Sequence, residues 1–347
     1  MKKIILGFVL LVLFSACEKE EIALDAPNQG QSTIVPTDTT GNEVLIARGA
    51  SVLTTLAIGA NYESQIWFDL GTNSIIKSNA RTDWDLAFES ESNDYVVYLN
   101  TSNVSSAVET PTTEFANVRS VSGLTFGYDA SSGNLDSLAI GDVSSNNKVW
   151  IVDRGFSPSG SDLGKWKVKF ESATANSYTL RFGRLNDSVG TVVVINKNPI
   201  KGRVAFSFVS GMTYDLEPEK TAFDLCFTQY TNVFYEPTFY PYSVNGAILN
   251  SYRTEVFEAF GQNFEQIDLA YAQSQFYSNH LDVIGYDWKF YDFGSSSYIV
   301  DKTKVVRGMD LHPDADANIV AGDITDPSGW ADHARGCDLF IHTAAIV

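Results

Sequence analysis

The sequence offers few side-chain sets that could carry out catalysis. It contains no G-x-S-x-G nucleophile motif, no H-E-x-x-H zinc motif and no C-x-x-C redox motif. Its 42 Asp and Glu residues could supply the carboxylate pairs that glycoside hydrolysis uses, but every acidic protein offers such pairs. The chemistry-bearing residues therefore favour a binding protein over an enzyme.

The densest group of potential ligand-binding side chains is an aromatic segment that Pro residues interrupt. Within Y-T-N-V-F-Y-E-P-T-F-Y-P-Y the phenol-bearing positions are Tyr230, Tyr235, Tyr240 and Tyr242. Such a segment could line an apolar pocket, or it could pack over the edge of a sheet.

Cys17 has the sequence context of a lipidated residue. Lys2 and Lys3 precede an apolar run over 4–14, and L-F-S-A-C follows at 13–17. The run is too short for a bilayer span, which needs about 20 residues, and it is typical of a signal peptide. The L-F-S-A-C segment resembles a bacterial lipobox, in which the cysteine becomes the lipidated first residue; an ordinary signal peptide is the alternative. We expect a signal peptide over 1–16 and a lipid anchor at Cys17.

Composition and charge narrow the setting further. Residues 17–45 are rich in Pro, Thr, Gln, Asn and Gly, which predicts a flexible tether. The net charge of −18 argues against nucleic acid and against direct adhesion to anionic lipid, so membrane attachment would come from the anchor alone. The other cysteines, Cys226 and Cys337, are a weak disulfide candidate because they lie far apart in different contexts.

Residues 46–304 have the pattern of an all-β domain. Short apolar runs, several with period two, alternate with Gly, Ser, Asn and Asp clusters, as half-buried strands do. W-K-V-K-F at 166–170 and Y-T-L-R-F at 178–182 predict a hairpin, and the best helix candidate is Phe264–Gln273. The predicted architecture is a sandwich or two packed sheets.

A weak internal repeat suggests two similar β units in one body, with chance similarity as the alternative. Phe68-Asp69-Leu70 precedes W-D-L-A-F at 84–88, and Tyr214-Asp215-Leu216 precedes F-D-L-C-F at 223–227. We expect Trp84 and Phe88 to be core anchors on a strand, with Asp85 facing polar partners or solvent.

Four segments of the predicted β domain follow one another in a recognisable order. They are Q-I-W-F-D-L-G-T-N-S-I-I-K-S-N-A-R-T-D-W-D-L-A-F at 65–88, F-D-L-C-F-T-Q-Y at 223–230, P-Y-S-V-N-G-A-I-L-N at 241–250 and I-G-Y-D-W-K at 284–289. In this order they resemble the HmuY family of haem-binding surface lipoproteins. The resemblance covers about 46–304 and implies an all-β, surface-exposed outer-membrane lipoprotein of the cell envelope. It implies binding of haem or a similar ligand for nutrient acquisition, with haem-carrying proteins and an outer-membrane receptor as partners. A surface binding or structural lipoprotein without haem is the alternative.

The ligand residues depart from the pattern that this resemblance implies. In the best-known members paired His or paired Met side chains grip the haem iron, but residues 18–304 contain one His, His280, and one Met, Met212. A mixed His280–Met212 pair is one option, because haem proteins use such pairs. Tyrosine also ligates ferric haem, which makes Tyr230, Tyr235, Tyr240 and Tyr242 further candidates. The alternatives without a ligand role are an exposed loop His, a surface or packing Met and tyrosines that pack against the protein.

Residues 305–347 have a different pattern. G-D-I-T-D at 322–326 is followed by a helical segment at 330–335 and by an apolar run that ends in A-A at 338–345. This order resembles an internal piece of an extended short-chain dehydrogenase/epimerase, in which Asp310 would read the ribose and Asp323 would approach adenine. No Gly-rich phosphate turn precedes Val305, and no Tyr-x-x-x-Lys pair follows, so we expect no NAD(P) binding and no NAD(P)-dependent epimerase or dehydratase activity. We interpret this tail as a truncated or chimeric C-terminus, with an intended fusion as the alternative. Its His312, His333 and His342 are therefore not counted as haem ligands.

Overall fold

A computed structural model describes residues 54–145, 147–235, 239–259 and 269–286, together with the backbone of two further strands at 289–292 and 297–300. The all-β prediction is confirmed, because the described residues form three antiparallel sheets and a two-stranded ribbon. In chain order the strands are β1 (Ser64–Asp69), β2 (Ser74–Ala80), β3 (Leu86–Glu89), β4 (Val96–Leu99), β5 (Ser106–Glu109), β6 (Gly141–Asp142), β7 (Val149–Asp153), β8 (Lys165–Ala173), β9 (Ser177–Arg184), β10 (Thr191–Asn196), β11 (Arg203–Ser207), β12 (Met212–Tyr214), β13 (Leu225–Phe234), β14 (Tyr240–Leu249), β15 (Lys289–Asp292) and β16 (Ser297–Val300).

Helical structure is sparse among these residues. The single α-helix, α1 (Leu269–Gln273), lies inside the predicted helix, whose first residues, 264–268, are outside the described residues. Three one-turn 3₁₀ segments complete the set: Thr101–Asn103, Phe115–Asn117 and Leu135–Ser137.

The strand order defines three sheets, which we number 1 to 3. Sheet 1 is β14-β13-β1-β2, sheet 2 is β12-β11-β3-β4-β6, and sheet 3 is β10-β9-β8-β7-β5. The sequence predicted a sandwich or two packed sheets, whereas the structure has three. The predicted hairpin is confirmed, since β8 and β9 pair antiparallel with a bulge near Phe170.

The main core lies between sheets 2 and 3. Phe88 and Phe206 of sheet 2 meet Tyr178 and Phe182 of sheet 3 through ring contacts of 5.0 to 5.2 Å. Alternation of side chains puts these rings on one face of each strand, and their burial is a large share of the hydrophobic stabilisation. Phe88 is a core anchor as predicted, but Trp84 precedes β3 and is only half-buried, so its prediction as a core residue is wrong.

The outer faces of sheets 1 and 3 have smaller cores. Sheet 1 packs Phe68 and Phe227 against Val256 and Ile284 of the later loops. On sheet 3 the fully buried Lys167 donates to the carbonyls of Phe115, Val118 and Leu185 at 2.8, 2.8 and 3.1 Å, which satisfies all three ammonium protons. This lysine ties the 3₁₀ segment at 115–117 to β8.

Strand pairing reveals a duplicated unit of two hairpins. In the first copy β1–β2 is followed by β3–β4, and in the second β11–β12 is followed by β13–β14. Each first hairpin pairs with the second hairpin of the other copy, giving β2-β1-β13-β14 in sheet 1 and β12-β11-β3-β4 in sheet 2. The two copies are therefore interlocked, and neither sheet can form from one copy alone.

Equivalent aspartates make the same hydrogen bonds in the two copies. Asp85 Oδ2 accepts from the backbone N–H of Phe208 at 2.7 Å, and Asp224 Oδ2 accepts from that of Leu70 at 2.8 Å. Each aspartate ties the start of one hairpin to the end of the strand beside it. The repeat seen in the sequence therefore reflects real structural equivalence at 84–88 and 223–227.

Equivalent asparagines repeat the correspondence. Asn100 Nδ2 donates to Trp84 O at 2.8 Å, and Asn250 Nδ2 donates to Phe223 O at 2.7 Å. The other half of the predicted repeat was misaligned. The partner of Phe68 is Phe206 rather than Tyr214, since Phe68 lies opposite Leu225 and Phe206 opposite Leu86.

Candidate functional site

The end of the β13–β14 hairpin carries a set of exposed aromatic rings. We call Tyr128, Phe234, Tyr235, Phe239, Tyr240 and Tyr242 the aromatic platform. The five of these rings that belong to the hairpin segment are between 41% and 61% exposed. Exposed apolar surface of this density typically marks a binding site.

Ring contacts join the platform into two groups. Tyr242 contacts Phe234 at 6.3 Å and Tyr240 at 6.2 Å between ring centroids. Phe239 contacts Tyr235 at 5.8 Å and Tyr128 at 6.0 Å. The contact with Tyr128 links the hairpin to the loop that follows β5.

Strand register explains why the first group shares a face. Phe234 lies opposite Tyr240, and Tyr242 is two residues further along β14, so period two puts all three side chains on one side of the hairpin. The same alternation puts Tyr230, Thr228 and Cys226 on that side closer to the body of the protein. This face therefore runs continuously from the interior to the exposed platform.

The structure distributes the predicted ligand residues over four places. Tyr235, Tyr240 and Tyr242 lie together on the platform, whereas Tyr230 is only 1% exposed. Met212 is an exposed residue that begins β12, the edge strand of sheet 2. His280 is half-buried in the loop after α1, where its backbone N–H donates to Ser278 Oγ at 3.2 Å.

Hydrogen bonds connect the loop that contains His280 to the loop that carries Tyr128 of the platform. Its neighbour Leu281 donates its N–H to Ser132 O at 2.9 Å, and Ser132 belongs to the loop that carries Tyr128. A second tie is Ser131, whose hydroxyl donates to Asp282 at 2.6 Å. Cys17, Asp310 and Asp323 lie outside the described residues, as does Cys337, while Cys226 is a buried free thiol.

A second candidate site is a cavity of about 120 Å³ between sheets 1 and 2. Its lining includes Trp67, Trp84, Tyr98, Arg203 and Tyr252. Both copies of the duplicated unit contribute equivalent positions to it, so the cavity lies at their interface. Tyr230 reaches the same cavity, which separates its role from that of the platform tyrosines.

The side of the cavity formed by β1 and β13 has neutral polar groups. Gln65 Nε2 donates to Ser102 Oγ at 2.8 Å and to Thr228 Oγ1 at 3.1 Å. Gln65 Oε1 accepts from Trp84 Nε1 at 2.9 Å and from Asn79 Nδ2 at 2.9 Å. The amide of Gln65 is thus fully used within the protein.

The side formed by β3 and β11 has charged groups. The Arg203 guanidinium lies 4.2 Å from the ring centroid of Tyr98, and Tyr252 Oη donates to Glu89 Oε2 at 2.6 Å. Glu217 Oε1 accepts from the backbone N–H of Arg203 at 3.2 Å. Gly202 permits this packing, because a Cβ there would meet Tyr252 and Glu217 at impossible distances.

Burial perturbs two carboxyl groups on this side. Burial raises the pKa of Glu217 to about 7, against the favourable charge of Arg203. Burial also raises the pKa of Asp129 to about 6, although its oxygens accept from the N–H groups of Leu99 and Ala139. Protonation of the cavity wall therefore changes near neutral pH.

The sequence reasoning missed Gln65, Arg203 and Glu217. Arg203 begins an apolar run that sequence analysis treated only as a strand. A correct alignment of the two copies would have paired Arg203 with Gln65. The replacement of a neutral residue by a charged one at equivalent positions would then have indicated a functional difference between the copies.

Together, the interlocked antiparallel sheets, the aromatic platform and the inter-sheet cavity define an all-β protein with two candidate binding sites. Among the described residues, no group of three or more His, Cys, Asp or Glu side chains could hold a metal ion, and no helix is long and apolar enough to cross a membrane.

Residues 61–310 match the HmuY protein family, which is a family of haem-binding proteins that are typically extracellular or surface-associated. The chain belongs to the HmuY family. No curated protein matches it, and no solved structure matches it.

Proposed function

We propose that the protein binds haem on the aromatic platform at the cell surface and serves haem acquisition rather than catalysis. The observation that carries the proposal is the cluster of exposed rings on the β13–β14 hairpin of an HmuY family member. A porphyrin is a flat apolar ligand, and clustered aromatic side chains offer it complementary surface.

The platform also offers iron ligands. Tyr235, Tyr240 and Tyr242 expose their phenols at a position where a bound porphyrin would reach them, and phenolate ligates ferric haem. A pair of His280 and Met212 is disfavoured, because Met212 lies on the edge strand of sheet 2 and His280 in the loop after α1. We therefore propose five-coordinate ligation by one platform tyrosine, with His280 as the second candidate.

The N-terminal part would hold this site at the outer surface of the cell. In this proposal Cys17 carries the lipid, residues 17–45 form the tether, and the outer membrane is the site of attachment. Haem-carrying proteins would be the source of ligand, and an outer-membrane receptor would be the recipient. The acidic body, with a net charge of −18, would stay in solvent away from anionic lipid.

Optical titration with hemin tests the proposal. We expect wild-type protein to shift the Soret band saturably, and the triple variant Tyr235→Phe, Tyr240→Phe, Tyr242→Phe to bind at least tenfold more weakly. Tyr214→Phe, on β12 of sheet 2, is the matched control and should bind as wild type does.

His280→Ala separates the two candidate ligands. Tyrosine ligation predicts an unchanged spectrum in this variant. Loss of the shifted band in His280→Ala alone would transfer the ligand role to His280, and a bis-imidazole spectrum would contradict the whole ligand assignment. No Soret shift in the wild type would favour a surface protein that binds something other than haem.

A further inference from the structure

The cavity between sheets 1 and 2 has diverged between its two equivalent halves. Gln65 and Arg203 occupy the same position in β1 and β11, as the pairing of Phe68 with Leu225 and of Phe206 with Leu86 shows. The residue beside Arg203 on the next strand is Glu89. One half is therefore neutral and the other is charged.

The neutral half needs no ligand. Both the donor and the acceptor atoms of Gln65 make protein hydrogen bonds, so the polar groups there are satisfied. This half serves as an internal reference for what the fold requires at that position.

The charged half leaves a donor group without an acceptor. Arg203 Nε is buried and has no hydrogen-bond partner, although the nearby charges of Glu217 and Glu89 stabilise the guanidinium. A buried N–H donor without an acceptor is destabilising, so the Nε group favours a ligand that can accept its hydrogen bond.

The nearby carboxylates are already engaged by other donors. Glu89 accepts from Ser90 N at 2.9 Å through Oε1 and from Tyr252 Oη at 2.6 Å through Oε2. Glu217 Oε1 accepts the backbone N–H of Arg203, not its guanidinium. Neither carboxylate therefore accepts a hydrogen bond from Arg203 Nε.

We propose that this cavity binds a small planar carboxylate, whose carboxylate group accepts hydrogen bonds from Arg203 while the rings of Trp67, Trp84 and Tyr98 contact its apolar body. Arginine recognises carboxylates through two parallel donors, and aromatic walls suit a flat ligand. A cavity of about 120 Å³ has room for about four water molecules at about 30 Å³ each, which suits at most a single-ring acid and excludes a porphyrin. The site is thus distinct from the haem platform and independent of it.

Calorimetric titration with benzoate and with its neutral analogue benzamide tests the proposal on the wild-type protein. We expect saturable benzoate binding and at least tenfold weaker benzamide binding. No saturable benzoate binding, or equal affinity for the two probes, would overturn it. Hemin is absent from this experiment, so its outcome does not depend on haem binding.

Two variants take their new residues from the other copy of the unit. Arg203→Gln installs the residue found at position 65 and should weaken benzoate at least tenfold without changing benzamide binding. Ala205→Trp installs the residue found at the equivalent position 67, fills the cavity and should abolish binding of both probes. Arg119→Gln, at an exposed position outside the cavity, is the matched control.

Circular dichroism and thermal melting establish that each variant is folded. If Arg203→Gln is folded and binds benzoate as wild type does, Arg203 is not the recognition group and the proposal is wrong. If that variant does not fold, the wild-type comparison of benzoate with benzamide and the Ala205→Trp titration decide the matter.

Discussion

Replacing Arg154 by Met should destabilise the protein by leaving a charged group buried without its partner. Arg154 Nε lies 2.6 Å from Asp85 Oδ1, and the side chains are only 6% and 1% exposed. Sequence analysis allowed Asp85 either polar partners or solvent, and the structure shows the polar partners. Methionine keeps much of the apolar stem of arginine, so the substitution removes mainly the cation.

The expected loss follows from the burial of the pair. Removing one partner of a buried ion pair typically costs about 3–5 kcal/mol, because the remaining charge has no compensation. Asp85 would keep the N–H of Phe208 as a donor, but Arg154 also supplies a hydrogen bond to Leu163 O at 3.0 Å that methionine cannot make. We therefore expect a loss of about 3–5 kcal/mol near neutral pH.

The loss should depend on pH with a definite sign. Burial already raises the pKa of Asp85, with Arg154 acting against the increase. Without Arg154 the pKa in the folded state rises further, so the folded protein binds more protons than the unfolded chain. The deficit relative to wild type should then grow as pH rises above the folded-state pKa of Asp85 in the wild type, and it should shrink toward pH of about 4.

Urea unfolding of Arg154→Met and of wild type at neutral and acidic pH provides the measurement. Lys148→Met, which breaks the exposed Lys148–Glu109 pair, is the control and should cost at most about 1 kcal/mol. Adding Asp85→Asn to Arg154→Met should recover part of the loss. A deficit below about 1 kcal/mol, or one that does not change with pH, would refute the reasoning.

Further predictions concern other parts of the chain. Glu217→Gln should remove a pH dependence of stability. Folding raises the pKa of Glu217 from 4.5 to about 7, so the wild type should lose about 3 kcal/mol of stability as pH rises between those values. Urea unfolding at several pH values measures this loss. Lys167→Met should lower the thermal midpoint, because three buried carbonyls lose their donor, at about 1–3 kcal/mol for each group left unsatisfied; an unchanged midpoint would contradict this. Cys17→Ser should release the protein from membranes in a bacterial host, and membrane fractionation equal to wild type would show that no lipid is attached there. Residues 305–347 should add no dinucleotide binding, since no Gly-rich phosphate turn precedes them; micromolar NAD or NADP binding by the full chain, lost on truncation at Lys304, would reverse that interpretation.

Local pattern was sufficient for the parts of this protein that depend on neighbours in sequence. Period-two alternation predicted the β8–β9 hairpin, because half-buried strands repeat their environment every second residue. The order of short motifs indicated the HmuY family, and the match over 61–310 confirmed it. The equivalence of 84–88 and 223–227 was also visible, because both segments must supply a buried aspartate at the start of a hairpin.

Tertiary structure decided which residues meet. The first hairpin of each copy pairs with the second hairpin of the other, and that exchange follows from long-range packing which no local pattern encodes. It brings Gln65 to Thr228 and Arg203 to Glu89. It also buries Tyr230, although Tyr230 lies on the same face of the β13–β14 hairpin as the exposed platform residues Tyr240 and Tyr242. Whether a tyrosine or an arginine is exposed, paired or left with an unused donor depends on strands more than a hundred residues away. The sequence alone therefore supplied candidate side chains, and only the fold showed which of them share the surface platform, which one lies at the interior cavity and which lie apart from both.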